Sequence, residues 1–144
     1  IEDFKKCTLY NTIRMSDYTV DGYLDGIDVV SEDYKTLFHQ YSSNKNVVFL
    51  LDPPYLSTEV GTYTMTWTLS DYLDVLDVLK SGKYFYFTSN KSSIIELCEW
   101  MSTKTDINNP FQNANKVEMK ASANHNASYT DIMLYKGWTS TITK

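Results

Sequence analysis

The chain has 144 residues, and 42% of them are hydrophobic, which is enough for the core of one folded domain and excludes a disordered segment. Its formal net charge of −5 excludes a protein that binds nucleic acid through bulk positive charge alone, although it allows a local basic patch. Cys7 and Cys98 belong to no CxxC pair or zinc-spaced cluster, so we expect two reduced thiols in a cytoplasmic protein. No apolar run is long enough to span a membrane.

In the first 42 residues the sequence predicts one strand and one helix, which follow a segment with only a weak secondary-structure pattern. Residues 1–25 predict a short helix followed by a loop. The segment GIDVV, residues 26–30, predicts a short strand. Residues 31–42 follow as a helix, because Ser31 is a suitable N-cap and apolar residues recur at helical spacing.

The apolar run VVFLL, residues 47–51, is the strongest strand signal in the chain. A continuous apolar run of this length is typical of a strand that is buried on both faces of a parallel sheet. Residues 68–82 then predict an amphipathic helix. The predicted buried stripe of this helix consists of Leu69, Tyr72, Leu73, Leu76 and Leu79.

The rest of the chain predicts a strand over 83–90, a helix over 92–102 and two strands over 116–122 and 129–137. The last two form an antiparallel pair, since a short polar stretch joins them. The alternation predicts an α/β fold with a Rossmann-like, mainly parallel sheet and a C-terminal antiparallel hairpin. Asp52 and Asn90 end two of its strands, and ligands of such sheets bind at the carboxyl edge.

The segment Asp-Pro-Pro-Tyr, residues 52–55, has the chemistry to hold an exocyclic amino group. The carboxylate of Asp52 can accept a hydrogen bond from an amine, and Pro53 fixes φ so that nearby carbonyls act as acceptors. Pro54 stiffens the loop, and the ring of Tyr55 can stack on a flat base. The alternative interpretation is that the two prolines only terminate a strand.

These residues match the signature (Asp/Asn/Ser)-Pro-Pro-(Tyr/Phe/Trp) of the amino-methyltransferases of nucleic acids. Over residues 20–137 the chain resembles more narrowly the Dam-type DNA adenine N6-methyltransferases. Four further segments carry the resemblance, namely VVSEDYKTLF, GTYTMTWTLSDYLDVLDVL, FYFTSNKS and ASYTDIMLYKG. The resemblance implies that Asp52, Pro53, Pro54 and Tyr55 are catalytic. Asp52 and the Pro53 carbonyl would accept hydrogen bonds from the target N6, and Tyr55 would stack on an adenine flipped out of the duplex.

The resemblance also implies roles in binding for residues outside this segment. Asp33, Tyr34 and Asp52 would lie near the cofactor, S-adenosylmethionine, while Tyr63 and Asn90 would join Tyr55 in contacting the substrate. Each of these residues also has a structural interpretation: Asp33 suits a helix start, Tyr34 and Tyr63 suit packing, and Asn90 suits a turn.

The chain departs from the family because it lacks the glycine-rich Phe-x-Gly loop and the acidic residue that ends the second strand. It therefore resembles the carboxyl-terminal half of such an enzyme. We expect residues 26–144 to be the catalytic half and residues 1–25 a linker or the tail of a target-recognition region. We also expect the N-terminal half of the same enzyme upstream, and the isolated chain to bind S-adenosylmethionine poorly and to be inactive.

The resemblance implies double-stranded DNA as the partner of a bacterial or phage enzyme in the cytoplasm. It allows a restriction endonuclease as a second partner, which the sequence itself does not identify. Two alternatives stay open: an inactive remnant or binding module that kept the sheet, and an amino-methyltransferase that acts on RNA or protein.

Overall fold

A computed structural model of the protein describes residues 21–57, 67–80, 82–104, 106–124 and 127–137. The chain divides into two compact units, residues 1–32 and residues 33–144. In the first unit, consecutive turns over residues 21–26 are closed by hydrogen bonds from Asp25 N to Gly22 O and from Ile27 N to Leu24 O. The strand predicted over 26–30 is wrong, because Gly26 has a φ of 80° and no strand within the described ranges pairs with this segment.

The described part of the second unit has three helices and four strands. In chain order they are α1 (Tyr34–Tyr41), β1 (Val48–Leu51), α2 (Leu69–Leu79), β2 (Lys83–Ser89), α3 (Ile94–Lys104), β3 (Asn115–Asn124) and β4 (Ala127–Lys136). None of the helices in the described ranges has the length and apolar character needed to cross a lipid bilayer.

The four strands form one mixed sheet in the order β1-β2-β4-β3. Strands β1 and β2 are parallel, and Leu51 is opposite Tyr86. The hairpin of β3 and β4 is antiparallel, and β4 also pairs antiparallel with β2. This arrangement confirms the predicted α/β class and the C-terminal hairpin, and it is consistent with a Rossmann-like methyltransferase fold.

Helix α1 begins three residues later than the sequence predicted. Its N-cap is Asp33 rather than Ser31, since the carboxylate of Asp33 accepts a hydrogen bond from the backbone N–H of Lys35 at 2.8 Å. A carboxylate in this place satisfies one of the backbone donors that a helix start leaves unpaired. The helix therefore covers only residues 34–41 of the predicted range.

The sequence predicted that strand β1 is buried on both faces, but only one of its faces is covered. Phe49 and Leu51 pack against the core, whereas Leu50 on the opposite face is 69% exposed. The strand also lies at the edge of the described sheet, because β2 is its one neighbour there. An apolar sequence that is only half covered is unusual for a parallel strand.

The core lies on the face of the sheet that the helices cover. It includes Phe38 of α1, four residues of α2, Ile94 and Cys98 of α3, and Tyr84 and Tyr86 of β2. The prediction of the buried stripe of α2 was partly wrong. The buried residues of this helix are Tyr72, Val75, Leu76 and Leu79, and Leu69 and Leu73 are exposed.

Candidate functional site

Asp52 directly follows β1, and Asn90 directly follows the neighbouring parallel strand β2. Because β1 and β2 run in the same direction, both residues lie at the carboxyl edge of the sheet. The sequence predicted that Asp52 and Asn90 each follow a strand of one sheet, and the two strands are direct parallel neighbours. In the described sheet β1 is an edge strand, so Asp52 does not follow a central strand there.

A cavity of about 370 Å³ opens beside Asp52 at this edge. Its walls combine two carboxylates and a phenol with apolar side chains from three strands. The residues that line it are Asp52, Tyr55, Phe87, Thr88, Val117, Met119, Asp131, Ile132 and Met133. No lysine or arginine occurs among these described residues, so the cavity is suited to a group that donates hydrogen bonds or carries positive charge.

Tyr55 is held in this cavity by Asp131 of β4, a residue that the sequence analysis did not single out. The Tyr55 hydroxyl donates a hydrogen bond to Asp131 Oδ1 at 3.3 Å. Partial burial raises the pKa of Tyr55, and the negative charges of Asp131 and Asp52 raise it further. The phenol therefore stays protonated as a donor at neutral pH.

The loop after Tyr55 is fixed to the turn between β2 and α3. Leu56 N donates to Ser92 Oγ at 3.1 Å, and Ser93 N donates to Leu56 O at 3.1 Å. Ser57 follows with a φ of 73°, a conformation that few residues other than glycine adopt. Two prolines before Tyr55 and two hydrogen bonds after it leave this segment little freedom, which suits a site that must hold its ligand in one geometry.

Asn90 uses its side chain to extend the sheet. Its Oδ1 accepts a hydrogen bond from Thr130 N at 2.9 Å, and its backbone N–H donates to Thr130 O at 3.0 Å. This pair ties the end of β2 to β4 beside the cavity. A structural role is thus visible for Asn90, while the predicted contact with substrate stays a prediction.

Asp33 and Tyr34 likewise have partners within the protein. The Tyr34 hydroxyl donates to Asp71 Oδ1 at 2.7 Å, and the Tyr34 ring stacks on Trp67 with centroids 5.1 Å apart. Burial and the carboxylate of Asp71 raise the pKa of Tyr34 to about 12. With Trp67 on one face of its ring and Asp33 capping α1, the predicted cofactor roles of both residues stay predictions. Tyr63 lies outside the described residues.

Asp71 in the first turn of α2 gathers four donors. Its Oδ2 accepts hydrogen bonds from Thr68 N at 2.8 Å and Thr68 Oγ1 at 2.7 Å, while Oδ1 accepts from Tyr34 and lies 3.3 Å from Lys35 Nζ. These donors, those of Thr68 first, hold the pKa of Asp71 well below its usual range. The spacing Thr-x-x-Asp before an apolar helix is a capping-box signal that could have identified this residue from the sequence.

Comparison with known proteins supports a methyltransferase family. A protein of Haemophilus influenzae named "Putative methyltransferase" is 40% identical to this chain over 131 residues, which is 88% of this chain and 44% of that protein. The chain therefore spans less than half the length of this curated relative. No protein-family profile matches the chain, and no solved structure matches it significantly.

Proposed function

We propose that this chain carries the catalytic segment of an S-adenosylmethionine-dependent methyltransferase that acts on the N6 amino group of adenine in DNA. One observation carries the proposal: Asp52 ends a strand at the carboxyl edge of the sheet and shares a cavity with Tyr55. The named relative supports methyl transfer as the reaction class. The choice of DNA adenine rests on the resemblance to Dam-type enzymes.

In this proposal the protein aligns an amine and forms no covalent intermediate. The Asp52 carboxylate and the Pro53 carbonyl accept hydrogen bonds from the two N–H groups of N6, which turns the nitrogen lone pair out of the ring plane. Tyr55 stacks on the flipped base, and its hydrogen bond to Asp131 limits how far the ring can rotate. Positioning and charge placement of this kind supply a large part of the rate enhancement of many enzymes.

The described residues fit the reacting end of the cofactor. S-adenosylmethionine, when bound, supplies an electrophilic methyl group on a positively charged sulfur. A cavity with two carboxylates, Asp52 and Asp131, and an aromatic ring is favourable for a cation. In the family that this chain resembles, a glycine-rich loop surrounds the methionine part of the cofactor, and that loop has no counterpart in this sequence. We therefore assign to this chain the transfer end of the site, with Asp33 and Tyr34 as the predicted cofactor contacts.

A chimera tests the proposal. The chain would replace the matched 131-residue region of the Haemophilus influenzae relative, and methyl incorporation would be measured on duplex DNA, RNA and protein. We expect label on adenine in DNA, and loss of that label with Asp52→Ala. Label on RNA or protein instead would assign the alternative substrates. A folded chimera that transfers no methyl group, beside an active parent enzyme, would favour an inactive remnant or binding module.

A further inference from the structure

One lysine lies beside the cavity that contains the two carboxylates. Lys91 directly follows Asn90 after the end of β2, and its Nζ lies 4.9 Å from the centre of the Tyr129 ring. Tyr129 is two residues before Asp131 on β4, so these two side chains point to the same face of the sheet. The Tyr129 hydroxyl also lies close enough to Tyr55 to contribute to the raised pKa of that phenol. Lys91 therefore lies next to the cavity without lining it.

The position of Lys91 is fixed at several points. Asn90 forms two hydrogen bonds with the backbone of Thr130, which tie the end of β2 to β4. The backbone N–H of Lys91 donates to Ser89 Oγ at 3.2 Å. The side chain of Lys91 extends over the ring of Tyr129, whose face attracts the ammonium group. A lysine that is held in this way loses less conformational entropy when it binds an anion than a freely moving lysine does.

The ammonium group of Lys91 has no carboxylate partner within the described ranges. Lys35, Lys80 and Lys116 each pair with an aspartate or a glutamate there, at distances between 2.6 and 3.3 Å. Lys91 is exposed, and the aromatic ring beneath it does not neutralise its charge. The charge of Lys91 is therefore available for an anionic ligand.

The cavity and this lysine together fit a molecule that has an amino group at one end and an anion at the other. Asp52 and Asp131 favour the amino group of a base and repel an anion. In a nucleotide the phosphate is joined to the base through the sugar, so a base inside the cavity leaves its phosphate outside. A phosphate close to two carboxylates is unfavourable unless a cation offsets the repulsion. Lys91 lies where it can supply that cation.

We propose that Lys91, held over Tyr129, binds the phosphate group of the nucleotide whose base enters the cavity. The proposal rests on the proposed function, because it concerns the same site and the same substrate. Lys91 contacts the substrate away from the reacting amine, and Tyr129 is a positioning residue that acts through Lys91. A lysine that neutralises one phosphate contributes about 0.7–0.9 to the slope with which log K falls as log salt concentration rises.

The test compares deoxyadenosine with its 5′- and 3′-monophosphates on the full 144-residue chain, with dissociation constants from NMR titration. We expect at least one monophosphate to bind roughly three- to tenfold more tightly than deoxyadenosine, and added salt to reduce this preference. Lys91→Gln is expected to remove the preference, and Lys91→Arg to keep it. Lys45→Gln is the matched control, because it removes an exposed lysine that precedes β1 at the opposite edge of the sheet. Tyr129→Phe keeps the ring and should keep the preference, whereas Tyr129→Leu should reduce it.

A wild-type chain without a preference for the monophosphates would overturn the proposal, as would a preference that Lys91→Gln keeps. Equal weakening of nucleoside and nucleotide binding in Lys91→Gln would also overturn it, because Lys91 would then act on the base and not on the phosphate. A phosphate preference that depends on Lys91, beside a chimera that transfers no methyl group, would support this role of Lys91 and contradict the proposed function. Methyl transfer to DNA whose KM and salt dependence are unchanged by Lys91→Gln would contradict the role of Lys91 alone.

Discussion

The hydroxyl of Tyr55 reaches Asp131 Oδ1 across 76 positions of the sequence, with a donor–acceptor distance of 3.3 Å. The contact joins the loop after β1 to the hairpin strand β4. It gives Asp131 a role in positioning the aromatic ring of the Asp-Pro-Pro-Tyr segment.

We expect Tyr55→Phe to lower the methyl-transfer rate of the complete enzyme roughly two- to tenfold, because it removes the hydrogen bond to Asp131. Asp131→Ala is expected to lower the rate at least as much, because it removes the same hydrogen bond and also one of the two carboxylates of the cavity. The double variant is expected to be no worse than the more damaging single variant, since coupled residues do not lose their contact twice. Tyr55→Ala is expected to lose more, because base stacking contributes about 1–3 kcal/mol. Rates from single-turnover methylation would measure this, and fully additive losses would contradict a positioning role for Asp131.

Asp52→Ala is expected to reduce methyl transfer by about a hundredfold or more, since it removes a charged acceptor of the reacting amine. Asp52 is exposed at the end of a strand, so the variant opens no core cavity and its unfolding curve should match that of the wild type. Asp77→Ala removes an exposed carboxylate of α2 and serves as the control. Wild-type activity in Asp52→Ala would mean that Asp-Pro-Pro-Tyr only terminates the strand.

The environment of Asp71 predicts acid sensitivity. Hydrogen bonds from Thr68 and Tyr34 keep the pKa of Asp71 below its usual range in the folded chain. This carboxylate therefore stabilises the fold above its unfolded pKa of about 3.9, and the contribution is lost as the pH falls below that value. The free energy of unfolding, measured in urea, should fall between about pH 5 and pH 2. Its dependence on pH should be weaker in Asp71→Asn, and weaker by a smaller amount in Tyr34→Phe. An unchanged slope in Asp71→Asn would refute this assignment.

Gly137 is expected to tolerate no side chain. Its φ is 103°, and a Cβ there would clash with Lys83 Cγ and lie 2.9 Å from Lys83 Cα. Gly137→Ala should therefore lower the free energy of unfolding by about 2 kcal/mol or more, through strain and displacement of the start of β2. Gly82→Ala is the matched control, since a Cβ there would make ordinary contacts, the nearest at 3.6 Å from Val78 O. Equal stability of the two variants would contradict the close approach of Gly137 to Lys83.

The sequence by itself determined the elements whose patterns are local. The aromatic and apolar run of residues 83–89 forms β2, and the two C-terminal runs predicted as strands form the antiparallel hairpin of β3 and β4. The sequence also placed Asp52 and Asn90 at the ends of their strands, because an apolar run that stops at a polar residue indicates the end of a strand. The order of strands and helices was enough to predict one α/β sheet.

Only the tertiary structure decided which distant residues meet. Asp131 joins Tyr55, and Tyr34 joins Trp67 and Asp71, through the pairing of β4 with β2 and the packing of α1 beside α2, none of which leaves a periodic signal in the sequence. Only the tertiary structure likewise decided the exposure of Leu50, because the apolar run around it predicted burial on both faces of the strand. Periodicity indicates that a side chain needs cover, but the partner that covers it depends on long-range contacts, and for Leu50 none of the described helices provides that cover.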